Sequence, residues 1–122
     1  MLFRSLGLTS PIVDDNGNLT ELNGETFLTG LISQTTGTIT LSDDITKYTG
    51  VKVATGSVGS PSQLYTDYAR GWSTSGFRTG TDSINVKTYS GTAALAVTSA
   101  TLLTITGTAS NEIRYIIGVE KL

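Results

Sequence analysis

The chain of 122 residues contains no cysteine and no histidine. Without cysteine it forms neither disulfides nor thiolate nucleophiles, and assembly in a reducing cytoplasm is compatible with this composition. Without histidine, the Ser-His and Cys-His catalytic systems and histidine metal sites cannot be built. No Gly-x-Ser-x-Gly elbow or phosphate-binding glycine loop occurs. We therefore expect a protein that is not an enzyme, with no cofactor and no catalytic residues.

Charge is also scarce. Charged residues make up 15% of the chain, with a net charge of −2, whereas about a quarter is usual. The lysines and arginines are scattered singly, although nucleic-acid binding relies on clustered cations, so we expect no nucleic-acid partner. No apolar run approaches the roughly 18 residues that span a bilayer, so we expect no membrane partner.

The abundant residues are threonine and glycine, with 22 and 14 copies. They favour strands and turns, and short alternating segments separated by turn signals predict an antiparallel β-sandwich, either jelly-roll-like or immunoglobulin-like, over residues 25–122. Within the first of these segments we place Phe27, Thr29 and Leu31 on one face. The predicted strands are 26–33, 37–41, 50–56, 63–70, 83–89, 92–98, 101–106 and 112–121.

The stretch 37–54 predicts a strand, one capped turn and a second strand. Ser42 offers a hydroxyl at a helix N-cap position, and Asp43 and Asp44 follow where a first turn favours negative charge. Ile45 and Tyr48 are three residues apart, so one helical turn directs both toward the core.

The last predicted strand carries large apolar groups on both faces. Simple alternation places Ile113 and Tyr115 on one face, and Arg114 and Ile116 on the other. Apolar groups on both faces indicate a central strand, or one covered by a neighbouring subunit.

Residues 37–54 and 111–119 together carry a resemblance. A strand ending in Thr-Leu-Ser, an acidic turn with Ile and Tyr, and a final strand reading Ile-x-x-Ile-x-Gly-Val are similar to small β-sandwich domains of bacteriophage tail-fibre tips and related virion surface proteins. The resemblance covers a minority of the chain and carries no catalytic residues. It implies a homotrimer on the virion surface, assembled in the host cytoplasm.

Two functions fit that resemblance. The first is a capsid decoration (cement) protein that binds the major capsid protein, or another virion protein, as a trimer through an N-terminal arm of residues 1–24, and stabilises the capsid. The alternative is the receptor-binding tip domain of a tail fibre.

Residues 1–24 differ from the rest, because their apolar residues follow no clean period. One interpretation is an N-terminal docking arm, since exposed Leu and Phe require a partner surface. The other is an edge strand of the same domain. The arm contacts would be Leu2, Phe3, Leu6, Leu8, Ile12 and Val13.

Two further candidate sites come from local composition. Aromatic residues near arginines could stack on sugars or form a subunit contact, whereas the tyrosines at 65 and 68 could instead fill the core. The candidate contacts in this region are Arg70, Trp72, Phe77 and Arg78. Asp14, Asn16, Asn18 and Glu25 have the spacing of calcium ligands, but the required glycine is Leu19, so a plain Asn-Gly turn is the default and no metal is expected.

Overall fold

The computed structural model describes residues 25–71 and 76–122 in full, together with the backbone of two strands that precede them. The strands are β1 (Ile12–Val13), β2 (Leu19–Leu22), β3 (Glu25–Phe27), β4 (Thr38–Thr40), β5 (Tyr48–Ser57), β6 (Tyr65–Arg70), β7 (Ser83–Lys87), β8 (Thr92–Ser99), β9 (Leu102–Gly107) and β10 (Asn111–Lys121). One 3-10 helical turn, Ile45–Lys47, precedes β5.

The strands form two sheets. The larger has the order β1-β2-β3-β10-β5-β6, and the smaller has the order β4-β9-β8-β7. Every strand pair described is antiparallel. The all-β antiparallel prediction is therefore confirmed, in a sandwich-like arrangement, while the choice between jelly-roll-like and immunoglobulin-like connections stays a prediction.

One core lies between the two sheets. The alternation predicted for β7 is confirmed, because Ile84 and Val86 are buried while the residues between them are exposed. From the facing sheet, β5 contributes Val51 and Val53, both fully buried.

The first two strands extend the larger sheet at its edge. Glu21 of β2 pairs with both Ile12 of β1 and Thr26 of β3. Residues 12–13 and 19–22 therefore lie in edge strands, while the choice between arm and edge strand for residues 1–24 as a whole stays a prediction. The docking role of the segment stays a prediction.

The β4–β5 unit connects the two sheets. Ile45 and Tyr48 are both buried, as predicted for one helical turn. The predicted cap at Ser42 is wrong: Asp44 accepts the N–H of Thr46 at 2.8 Å, and the Ser42 hydroxyl donates to the carbonyl of Phe27 at 3.1 Å. Asp44 is therefore the N-cap, and the turn begins at Ile45.

Strand β10 is central, as its apolar faces predicted, and pairs with β3 and β5. Its simple alternation was wrong, because the register with β5 shifts between Ile113 and Tyr115. The extra residue, Arg114, forms a β-bulge. Ile113 and Ile116 consequently both belong to the core.

The predicted strand 26–33 ends early, at Phe27. Beyond it the chain still follows β10, since the N–H of Leu28 donates to Ile116 and that of Ile32 to Arg114, both at 2.8 Å. The hydroxyl of Thr29 accepts the Ile116 N–H at 3.1 Å and replaces a backbone acceptor. The predicted alternation therefore fails, and Leu31 is 78% exposed.

Candidate interaction surface

Four connecting segments meet at one end of the sandwich, which we call the loop end. They are residues 28–37, 57–64, 88–91 and 107–111. Hydrogen bonds join three of them: the Val58 N–H donates to the carbonyl of Ser110 at 3.3 Å, and the Ser90 hydroxyl donates to the carbonyl of Ala109 at 2.6 Å. The fourth, 28–37, is held to the start of β10, since the Gln34 N–H donates to the carbonyl of Ile113 at 3.2 Å. The loop end is thus one connected structure.

Asn111 holds two of these turns together. The residue is fully buried, and its side-chain nitrogen lies 2.9 Å from the Thr88 hydroxyl, 2.7 Å from the Ser90 hydroxyl and 2.8 Å from the Ala109 carbonyl. It also lies 3.0 Å from the carbonyl of Thr108. Two amide hydrogens shared among four acceptors fix the β9–β10 turn against the β7–β8 turn.

The β9–β10 turn has an unusual backbone. Ala109 and Ser110 both have positive φ, 49° and 65°. Side-chain-bearing residues rarely adopt this conformation, so surrounding contacts must hold it. Gly91 permits the close approach of the neighbouring turn, because a Cβ at that position would lie 2.9 Å from the Cβ of Ala109.

Arg114 holds the 57–64 segment in the same way. Its side chain is 11% exposed, and its guanidinium donates to the carbonyls of Pro61 at 2.9 Å and Ser60 at 3.1 Å. Glu112 completes the contact at 3.0 Å from Nη2. The guanidinium lies over Gly56, where a Cβ would be 2.6 Å from Nη2. The bulge places this side chain beneath the loop.

On this scaffold the loop end exposes large apolar side chains. Of five such exposed residues among those described, four belong to this end: Leu31, Val58, Leu64 and Tyr89. The fifth, Leu122, lies at the opposite end. Such an exposed patch is typical of a protein contact.

The apolar patch has two parts. The tip consists of Val58 and Tyr89. The ring of Tyr89 packs edge-on against the ring of Tyr65, with the ring centroids 5.2 Å apart. The groove is a depression of about 390 Å³ with Leu31 on one wall and Leu64 on the other. Its floor includes Glu112, Arg114 and Tyr115 of β10, and its remaining lining is Ile32, Ser33, Pro61, Ser62 and Gln63.

The loop end is almost free of charge. Residues 28–42, 53–66 and 88–111 contain no aspartate, glutamate, lysine or arginine. The nearest charged side chains are Lys87, at the end of β7, and the Glu112–Arg114 pair. Depletion of charge is typical of the buried part of protein interfaces. A contact made here would depend weakly on salt, because screening acts on charges.

The opposite end carries a network of charges. Asp43 accepts hydrogen bonds from the Asp44 N–H at 2.8 Å and the Tyr48 hydroxyl at 2.9 Å, and it pairs with Lys47 at 3.2 Å. The Asp44 N–H contributes most to lowering the pKa of Asp43, and the Tyr48 hydroxyl and Lys47 add to it, against desolvation. Burial, and next the contact with Asp43, raise the pKa of Tyr48. This network fixes the helical turn.

The predicted arm contacts cannot be placed. Leu2, Phe3, Leu6 and Leu8 lie outside the described residues, and Ile12 and Val13 are described only as backbone of β1. Their contact roles stay predictions.

The predicted aromatic cluster does not form one surface in the described part of the chain. Tyr65 lies at the loop end with Tyr89, whereas Phe77 is buried in the core. Arg70 lies 5.8 Å from the ring centre of Tyr68. Trp72 lies outside the described residues.

Arg78 is tied to its own loop. Its guanidinium donates to Asp82 at 2.9 and 3.0 Å, and its backbone N–H donates to the same carboxylate at 2.8 Å.

The candidate calcium ligands also lie outside the described residues, except for one. Asp14, Asn16 and Asn18 lie in an undescribed stretch, and Glu25 pairs with Lys52 at 2.7 Å. Among residues 25–71 and 76–122, no group of three or more aspartate, glutamate, histidine or cysteine side chains could hold a metal ion. The same residues include no helix with the length and apolarity to cross a membrane.

Sequence reasoning missed the loop end. Leu31 and Leu64 were assigned to strands, and Val58 and Tyr89 were not singled out. The distribution of charge was the available signal, since three long uncharged segments converge there. Comparison with family models, with curated proteins and with solved structures finds no match to the chain.

Proposed function

We propose that this protein is a phage virion structural protein, a capsid decoration protein that attaches to another protein surface through its loop end. In this proposal it catalyses no reaction. The observation that supports the proposal is the uncharged loop end, with its exposed apolar residues on a rigid scaffold. The phage setting derives from the resemblance of residues 37–54 and 111–119. These segments are neighbours in the fold, because β5 and β10 pair from Asn111–Ser57 to Lys121–Tyr48.

A protein partner fits the loop end better than a sugar. Three of its exposed groups, Leu31, Val58 and Leu64, are aliphatic and offer no stacking face. The two nearby side-chain amides are engaged internally: Gln34 donates to the carbonyl of Thr38 at 2.8 Å, and Gln63 accepts the Ser57 N–H at 2.6 Å. An uncharged surface with exposed aliphatic side chains, and with both of its amide side chains already engaged, favours burial against another protein.

The tip is the part of the loop end that we assign to the capsid. Tyr89 is half exposed and supported by Tyr65, so it presents a rigid aromatic anchor. Removing an anchor of this kind typically costs about 2 kcal/mol or more, which corresponds to a loss of roughly 30-fold in affinity.

Cosedimentation with purified capsids tests this assignment. Tyr89→Ala and Val58→Asp should each weaken binding by at least about tenfold, and wild-type binding should change little between low and high salt. Leu122→Asp is the matched control, because Leu122 is 60% exposed at the opposite end. Undiminished binding of Val58→Asp, or equal loss in the control, would refute the assignment.

The second candidate function is the receptor-binding tip of a tail fibre, favoured by the exposed Tyr89 ring. In that case Tyr89→Ala should reduce adsorption to host cells without lowering the melting temperature, and capsids should not bind the protein. Copy number distinguishes the two, since a decoration protein is present in hundreds of copies and a fibre tip in a handful.

A further inference from the structure

We infer that the groove of the loop end receives the N-terminal segment, residues 1–11, of a neighbouring copy of this chain. The inference rests on the homotrimer that the resemblance of residues 37–54 and 111–119 implies, and it supplies a contact between the subunits. It concerns self-assembly, so it can fail while capsid attachment by the tip stands.

The groove requires an apolar occupant. Leu31 is 78% exposed and Leu64 is 49% exposed on its two walls. On its floor, the guanidinium of Arg114 is already engaged by Glu112 at 3.0 Å and by the carbonyl of Pro61 at 2.9 Å. The Nη1 and Nη2 atoms of Arg114 are thus taken and its unpaired Nε is buried, so an ionic occupant would find no accessible cationic partner, whereas an apolar one would remove both leucines from water.

The size of the groove suits a short stretch of chain. Its volume of about 390 Å³ is near the lower end of the range of ligand sites, roughly 300–1,000 Å³, so it holds a few side chains. The walls are two non-strand segments, 31–33 and 61–64, on either side of β10. An extended peptide lying between them would fit this shape.

This chain carries a segment of matching chemistry. Residues 1–11 read MLFRSLGLTSP and include Leu2, Phe3, Leu6 and Leu8 with a single charge, at Arg4. Fully extended, eleven residues reach at most about 36–40 Å. The segment can therefore extend well beyond the edge strand β1.

Strand direction favours the neighbouring copy over the chain's own groove. Ile12 pairs with Glu21, Glu21 pairs with Thr26, and Thr26 pairs with Gly118 of β10, so Ile12 and Gly118 lie at the same level of the sheet. Because β10 begins at the loop end, the groove lies nearer that end than Gly118 does. Alternating antiparallel pairing makes β1 run toward the loop end. Ile12 thus lies at the end of β1 that faces away from the groove of its own copy.

Cysteine cross-linking tests the inference with little background, because the chain has no cysteine. Two single variants, Phe3→Cys with an affinity tag and Leu64→Cys without one, are co-expressed and oxidised. We expect a covalent heterodimer on a non-reducing gel. The matched control replaces Leu64→Cys by Leu122→Cys, which is similarly exposed at the opposite end, and should give no heterodimer above background.

The double variant Phe3→Cys/Leu64→Cys distinguishes the two copies. An intramolecular disulfide alone, seen as a faster-migrating monomer, would overturn the inference, as would absence of any cross-link or equal cross-linking in the control. Light scattering adds a measurement without cysteines: deletion of residues 1–11 and the variant Leu31→Asp/Leu64→Asp should both reduce the oligomer to monomer. An unchanged oligomer in either would also overturn it.

Discussion

Gly118 is the position where a single methyl group tests the packing of the core most directly. In Gly118→Ala the new carbon would lie 2.6 Å from Cδ1 and Cε1 of Tyr48, and 2.9 Å from Cζ. Non-bonded carbon atoms prefer about 3.5–4.0 Å, so the ring would have to move by roughly 1 Å. Tyr48 is only 1% exposed, and the surrounding core leaves it little room.

The expected loss in the free energy of unfolding comes from the clash with the Tyr48 ring and from the hydrogen bond that this ring makes. Overpacking of a core typically costs about 1–3 kcal/mol. Displacement of the ring would also weaken the hydrogen bond that the Tyr48 hydroxyl donates to Asp43 at 2.9 Å, and a bond to a charged group contributes about 1.5–3 kcal/mol. Replacing glycine by alanine also lowers the conformational entropy of the unfolded chain, which stabilises the folded state by about 0.4–1 kcal/mol. We therefore expect a loss of about 2–4 kcal/mol in the free energy of unfolding.

Urea denaturation measures this loss, with an unchanged slope required for a valid comparison. The matched control is Gly107→Ala on β9, where a Cβ would meet nothing within 4 Å; its unfolding free energy should change by less than about 0.5 kcal/mol or rise slightly. In the background of Tyr48→Leu the cost of Gly118→Ala should fall by about 0.5–3 kcal/mol. Equal shifts for Gly118→Ala and Gly107→Ala would refute the reasoning.

Two further predictions concern the polar networks at the two ends. The lowered pKa of Asp43 stabilises the fold above the ordinary aspartate pKa of about 4, and this contribution is lost as pH falls through the lowered value. The urea midpoints of wild type and Asp43→Asn should therefore differ most at neutral pH and converge in acid; a constant difference contradicts the role of the ionised carboxylate. At the loop end, Asn111→Ala should cost about 1–3 kcal/mol, whereas Asn111→Asp places a carboxylate against carbonyl oxygens and should cost about 3 kcal/mol or more at neutral pH. Thermal unfolding should show Asn111→Asp recovering as pH falls and the acid protonates; equal melting temperatures for both variants at neutral pH would contradict the hydrogen-bonding role of Asn111.

Local patterns predicted the parts of the fold that depend on one strand at a time. The alternation of Ile84 and Val86 is read from the sequence, because it needs only the two-residue period of a strand. The burial of Ile45 and Tyr48 is read in the same way from the spacing of one helical turn.

Features that depend on the partner strand were not predictable in this way. The bulge at Arg114 exists only in the register between β10 and β5, so alternation within β10 assigned Ile113 to the wrong face. Leu31 was assigned to a strand for the same reason, since the Thr29 hydroxyl interrupts the backbone pairing.

The loop end was hidden by the order of the chain. Its four segments are distant in sequence, and the pairing of the strands in both sheets brings them to one end. Conversely, Tyr65 and Phe77 are close in sequence but far apart in the fold: Tyr65 lies at the loop end, while Phe77 is buried in the core and follows Gly76, which lies beside Tyr48 and Leu122.

The two ends of the sandwich differ in charge. The loop end exposes only uncharged side chains apart from the Glu112–Arg114 pair, whereas the opposite end carries Asp43, Lys47, Glu120 and Lys121. If the loop end faces a particle, each attached copy buries its apolar side chains and exposes the end that carries charges of both signs to solvent. A particle covered in this way would repel its neighbours through hydration, and its colloidal stability would come from the layer rather than from the shell beneath.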